Sequence, residues 1–167
     1  MEHMRQERDF TIFHNRVGNF NVGGKTLLVP EMNPLSSHLL SGVFQSHGVP
    51  AVVMPTYDGL AYGKEYTSGK ECFPCQITFG DVLHYLNAEK ERLGESFDAG
   101  NYVYFMPDTD GPCRFGMYNK FQRMVLDTLA EFKDVRIASL STKNAYMIGD
   151  LIDASRSPLR TYTGCGR

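Results

Sequence analysis

No stretch of this 167-residue sequence approaches the ~20 consecutive apolar residues that a membrane-spanning helix needs. Charge of either sign is not in excess. Lys and Arg number 17 against 19 Asp and Glu, a net charge of −2 that speaks against a dedicated nucleic-acid or anionic-membrane surface. Cysteine is sparse too, and 4 in a chain of this size are too few for a disulfide scaffold. Internal repeats and low-complexity tracts are missing, which excludes solenoids and fibrous classes. No signal-peptide pattern opens the chain, so the expectation is a cytoplasmic protein whose cysteines serve metal binding or redox chemistry.

What is present is an ordinary globular balance, with 42% hydrophobic and 22% charged residues. The length suits one domain that buries about 70% of its unfolded surface. Residues 1–20 read as a polar N-terminal extension, 21–150 as the domain, and 151–167 as an irregular C-terminal tail. Within the domain, strand and helix signals alternate. "KTLLVP" (25–30), "AVVMP" (51–55), "YVYFMP" (102–107) and "VRIASL" (135–140) are short apolar runs of the buried-strand type. Between the first two, Asn33 and Pro34 have the chemistry of a helix cap and first position, and Gly48 that of a stop. Leu35, Leu39, Leu40, Val43 and Phe44 recur at helical spacing and form the expected buried face. A second helix is expected from about Ile77, with Phe79, Val82, Leu83, Leu86 and Leu93 as its apolar stripe and Gly94 as its end. A third spans 113–132, carrying Tyr118, Phe121, Val125, Leu129 and Phe132. The segment 57–71 reads as a Gly- and Tyr-rich loop. Such alternation implies right-handed β-α-β units, hence an α/β fold: a Rossmann-like three-layer sandwich with a mainly parallel sheet.

Ligands of such sheets bind outside the carboxyl ends of the strands. Cys72 and Cys75, in "GKECFPCQITFGD" (69–81), follow strand 51–55, and Cys113, in "MPDTDGPCRFG" (106–116), follows strand 102–107. The three thiols are therefore expected on one rim of the sheet. A thioredoxin-type dithiol needs the pair directly after a strand and at a helix N-terminus. Here a loop of about sixteen residues intervenes. Structural zinc takes four ligands, commonly two Cys pairs, and the second pair is missing. Zinc would need Cys165 or a histidine. Three free cysteines without any metal are the plain alternative. A [4Fe–4S] cluster held by three thiolates fits the trio best, because thiolate ligation is its normal chemistry. Gly69, Gly80, Gly111 and Gly116 would let backbone come close to its inorganic core.

"GKECFPCQITFGDVL" together with "MPDTDGPCRFGMYNKFQRMVLD" resembles the iron–sulfur proteins related to 2-hydroxyacyl-CoA dehydratases. The likeness is to the dehydratase-like module associated with their ATP-dependent activases. "GKTLLVPEMNPLSSHLLSGVFQSHGVPAVVMP" is similar to that module's first β-α-β unit, and the resemblance spans about positions 20 to 150. It implies a Rossmann-like domain whose [4Fe–4S] cluster is ligated by Cys72, Cys75 and Cys113. It also implies low-potential electron transfer with an ATP-dependent activase as partner, as a component of lyase or reductase chemistry. In the dehydratases that electron forms a ketyl radical on the 2-hydroxyacyl thioester and permits loss of water. An acyl-CoA substrate and a homodimer are further expectations, although the family's subunits are longer and no acyl-CoA pocket can be pointed to. Cys165 lies outside the matched region and is unassigned. The alternative is a zinc-binding or metal-free interaction module of the same fold.

Other signals are weaker. "GNFNVGGKT" (18–26) resembles a P-loop, yet Asn19 stands where the motif needs glycine and the segment precedes a strand. His38, His47 and His84 are expected in surface or satisfied-core roles. Arg114 is either a solvated helix-start residue or a cation for a cluster or partner. Lys70 and Glu71 are expected as exposed loop residues, with a docking role as the sharper alternative. Tyr57, Tyr62 and Tyr66 are expected to pack over the cysteine motif as a lid.

Overall fold

Parallel strands buried on both faces need apolar residues at nearly every position, and the runs at 26–30 and 102–105 supply them. In the computed structural model, which describes residues 16–18, 20–141 and 151, five strands form one all-parallel sheet. They are β1 (Val17–Gly18), β2 (Thr26–Pro30), β3 (Ala51–Met54), β4 (Tyr102–Phe105) and β5 (Arg136–Ala138), in the order β1-β5-β4-β2-β3. Leu27 pairs with Ala51 on one side and Val103 on the other, and Tyr104 with Ile137. The expected α/β Rossmann-like architecture is therefore present. Among the described residues no helix is long and apolar enough to cross a membrane.

The fifth strand comes from the segment expected as an extension. Val17 and Gly18 pair with Ile137 and Ala138, and the Ser139 N–H donates to the Gly18 carbonyl at 2.9 Å. Leu151 is buried as well, and its carbonyl accepts from the Val22 N–H at 3.0 Å, so the core extends into the expected tail. Cys165 and the other tail residues lie outside the described residues.

Helix α1 (Pro34–Ser46) covers one face of the sheet. Its cap is as the sequence suggests, with the Asn33 side chain accepting from the Ser36 N–H at 3.1 Å. Its buried face differs from expectation. Phe44 is buried, but Leu35, Leu39 and Val43 are 72%, 63% and 43% exposed, and Ser37 and Ser41 face the sheet instead. Small side chains let the helix lie close, and their hydroxyls donate to the Pro30 and Ala51 carbonyls, each at 3.0 Å.

The other face carries α2 (Leu60–Tyr66), α3 (Phe73–Leu93) and α4 (Tyr118–Thr128). Helix α2 lies within the expected loop, where its seven residues have too little periodic apolar content to stand out. It crosses α3 at backbone contact. A Cβ on Gly63 would lie 1.9 Å from the Gln76 carbonyl oxygen, and one on Gly80 would lie 2.2 Å from that of Gly59. Asp81 completes the joint, its carboxylate accepting from the Gly59 N–H at 3.1 Å and the Tyr57 N–H at 3.3 Å. Burial raises the Asp81 carboxyl above its ordinary range, and those donors partly offset the shift. On α4, Arg123 is fully buried. Its guanidinium holds the Lys133 carbonyl and Asp127, each at 3.0 Å, and also the Val135 carbonyl, which ties the helix to the start of β5.

Two glycine substitutions should separate joint from surface. Gly63→Ala is expected to lower unfolding stability by about 1–3 kcal/mol, because backbone cannot yield to the added methyl. Gly42→Ala, on the open side of α1 with nothing within 4 Å, should raise it by about 0.5–1 kcal/mol. Chemical denaturation of both variants checks the pair, and equal effects would contradict the joint.

Candidate functional site

Helix α3 begins earlier than its apolar stripe suggests, and this changes the setting of the cysteine pair. Cys72 is the N-cap, Pro74 stands in the first turn, and the Cys75 N–H donates to the Cys72 carbonyl at 3.1 Å. The pair thus sits on the helix terminus rather than in a loop before it. Cys72 has φ 86° and ψ 147°, a region that side chains avoid. Among the described residues, Tyr57 at φ 72° is the other non-glycine with positive φ. Both belong to the rim at the carboxyl ends of the strands.

Cys113 reaches the same rim from β4. It precedes a 3-10 turn (Arg114–Met117) and is exposed. That turn packs tightly, since a Cβ on Gly116 would lie 2.2 Å from the Thr109 carbonyl oxygen. Lys120 braces it from α4, donating to Asp108 at 3.2 Å and to the Gly116 carbonyl at 2.8 Å. Arg114 points across the rim and donates to the Lys70 carbonyl, tying the Cys113 turn to the segment just before Cys72. It is exposed at the start of its short helix, as the first of its two expected roles has it, and bridges the two segments as well.

Tyr118 lies near all three thiols. The Tyr118 hydroxyl is pushed up to about 12, first by burial and then by the negative potential of Cys72 and Cys75. It also donates to the Cys72 sulfur and feels Cys113. Cys75 is fully buried, and burial pushes its thiol up to about 12, with Glu71 and Cys72 adding to the shift. Gln122 acts in the opposite direction, its amide nitrogen lying 4.0 Å from the Cys75 sulfur and 3.3 Å from Thr78 Oγ1. Among the described residues no three His, Cys, Asp or Glu side chains are grouped closely enough to hold a single metal ion.

Tyr118 also stands between two cavities. The larger, about 620 Å³, lies outside the ends of β2 and β3 and is bounded by Met32, Tyr57, Thr78, Cys113 and Tyr118. It opens where the chain switches direction between β2 and β4, the usual ligand position in such sheets. The smaller, about 240 Å³, is bounded by Lys70, Glu71, Cys75, Arg114 and Tyr118.

Several expectations need correction here. Tyr62 and Tyr66 are no lid. They pack against His84 and Phe79 on α3, with ring centroids 6.2 and 6.5 Å apart. Of the three tyrosines only Tyr57 lines the cavity. Lys70 is exposed as expected, whereas Glu71 is half-buried and accepts from the Ser68 N–H and hydroxyl at 3.1 and 3.0 Å. His38 and His84 are exposed, and His47 Nδ1 lies 2.9 Å from the Val43 carbonyl oxygen. Lys25 donates to the Gly100 carbonyl at the opposite end of the sheet, in a segment that leads into a strand and not a helix. Gln122 was not singled out by sequence. Its one signal is a polar residue four positions after Tyr118, on the face that points to the core.

In metal-free folded protein, alkylation mapped by mass spectrometry should modify Cys113 first, Cys72 more slowly and Cys75 only on unfolding. Modification of Cys75 as fast as Cys113 would contradict its burial. Cys72→Gly should be more stable than Cys72→Ala by roughly 1 kcal/mol, since glycine accepts the backbone at the N-cap and alanine does not. No family model, curated protein or solved structure matches this chain.

Proposed function

We propose that this chain is an iron–sulfur domain related to the 2-hydroxyacyl-CoA dehydratases, passing single low-potential electrons with an ATP-dependent activase as partner. The observation that carries the reading is that Cys72, Cys75 and Cys113 all lie near Tyr118, on the rim at the carboxyl ends of the strands. These three residues would hold the [4Fe–4S] cluster, which supplies one-electron chemistry when bound.

The chain's own groups have defined tasks in this reading. Gln122 offers an amide N–H to the Cys75 sulfur, a contact that raises the potential of any centre held there. Tyr118 donates to Cys72. Arg114 keeps the two cysteine-bearing segments together through the Lys70 carbonyl. Met32, Tyr57, Phe73 and Met117 are large, apolar and about half exposed around the same rim, a surface that a partner covers with profit. An acyl-CoA substrate and a homodimer remain secondary parts of the proposal, with the 620 Å³ cavity as the space available to a ligand.

That apolar rim also favours a second reading, an interaction module of the same fold without redox chemistry. Anaerobic purification separates the two. The iron–sulfur reading expects brown protein with a broad absorption band near ~400 nm and about four iron per chain. Colourless anaerobic protein, or protein carrying one zinc, sinks it. Cys113→Ser should lose the iron and Cys165→Ser should keep it. Loss from both variants would mean that the ligand assignment is wrong.

A further inference from the structure

We infer that Cys72 and Cys75 form a reversible dithiol–disulfide couple in the metal-free chain, with Cys72 attacking, Cys75 resolving, and a small disulfide of the glutathione class as exchange partner. This inference stands apart from the iron reading, because it concerns the chain without metal.

Sequence spacing argues against a dithiol, since a long segment separates the pair from its strand. The separation stands, with α2 inside it, but the structure meets the other requirement, a helix N-terminus. The pair occupies the first turn of a 21-residue helix, with Cys72 as N-cap and Cys75 three residues on. The Cys75 N–H to Cys72 carbonyl bond, at 3.1 Å, closes a turn of the kind that holds its end Cα atoms within ~7 Å. Disulfides span Cα separations of about 4.4–6.8 Å, a range that such a turn overlaps. Cys72 makes no side-chain capping bond that would have to be given up.

The two sulfurs are also differentiated. Cys72 is half-buried beside the exposed Phe73 and can be reached by a reagent, whereas Cys75 is enclosed behind it. Next to Cys75, the fully buried Gln122 has a side-chain carbonyl oxygen without a hydrogen-bond partner among the described residues. An amide places donor and acceptor on one group, which serves a reduced thiol and an oxidised sulfur alike. Cys113 borders the larger cavity and Cys75 the smaller, with Tyr118 lining both.

The exchange balances. The Cys72 thiolate attacks one sulfur of glutathione disulfide, forming a mixed disulfide and releasing one glutathione thiolate. Cys75, giving its proton to that thiolate or to solvent, then attacks the Cys72 sulfur. The Cys72–Cys75 bond forms and the second glutathione leaves. The chain has lost two electrons and two protons, and the small disulfide has gained them.

The test equilibrates the full chain, chelator-treated under argon, against buffers of reduced and oxidised glutathione, then quenches by alkylation. Wild type should pass through a single midpoint at which two thiols become protected, mapped to the peptide containing Cys72 and Cys75. Cys113→Ser and Cys165→Ser should behave in the same way. Cys75→Ser should accumulate glutathione on Cys72, the trapped intermediate. A protected pair that includes Cys113, or wild-type thiols that all stay reduced across the series, overturns the inference. So does Cys75→Ser that carries no glutathione while its circular dichroism shows it folded. Iron content plays no part in these readouts, so colourless anaerobic protein would end the cluster reading and leave this one intact.

Discussion

The contact on which the rest of the structure depends is the backbone crossing of α2 and α3. Gly59, Gly63 and Gly80 carry no Cβ at the points of closest approach, so backbone groups of the two segments meet directly there. A joint this tight has little freedom to slide, because each small shift drives backbone atoms into backbone atoms. Asp81 pins it from within by accepting the amides that lead into α2. The start of α3 is held by the same arrangement, through Gln76, whose carbonyl faces Gly63 and whose amide donates to Thr67 at 2.7 Å. The cysteine pair is therefore placed by its own helix and by the short helix preceding it.

Strain at the rim follows from that rigidity. Cys72 and Tyr57 both hold backbone conformations that cost of order 1–3 kcal/mol each. Neither belongs to a turn in which glycine would be unsuitable. A chain selected only for stability would carry glycine at both. The cysteine supplies a sulfur, and the tyrosine supplies part of a cavity wall. Both unfavourable residues therefore sit where side-chain chemistry is available, and the glycines sit where close packing is required.

The strands and the sheet rim were legible in the sequence because buried parallel strands leave a strong mark. Runs such as "LLVP" and "YVYF" have no charged or amide residue to contradict them. The convergence of Cys72, Cys75 and Cys113 on one rim also followed from topology alone. What was not legible depended on small or polar residues used against type. Helix α1 turns serines to the sheet because hydroxyls can satisfy strand carbonyls at close range, which leaves leucines outside. Helix α2 was hidden because glycines at its interface read as loop residues. The true start of α3 was masked by Cys72 and Pro74, which carry no periodic signal. Gln122 and Tyr118 matter through what they touch, and that emerges only when two distant segments are folded together.

Tyr118 has one further consequence. It lines two cavities, one bordered by Cys113 and the other by Cys75. A change of side chain at position 118 would therefore alter the walls of both spaces at once.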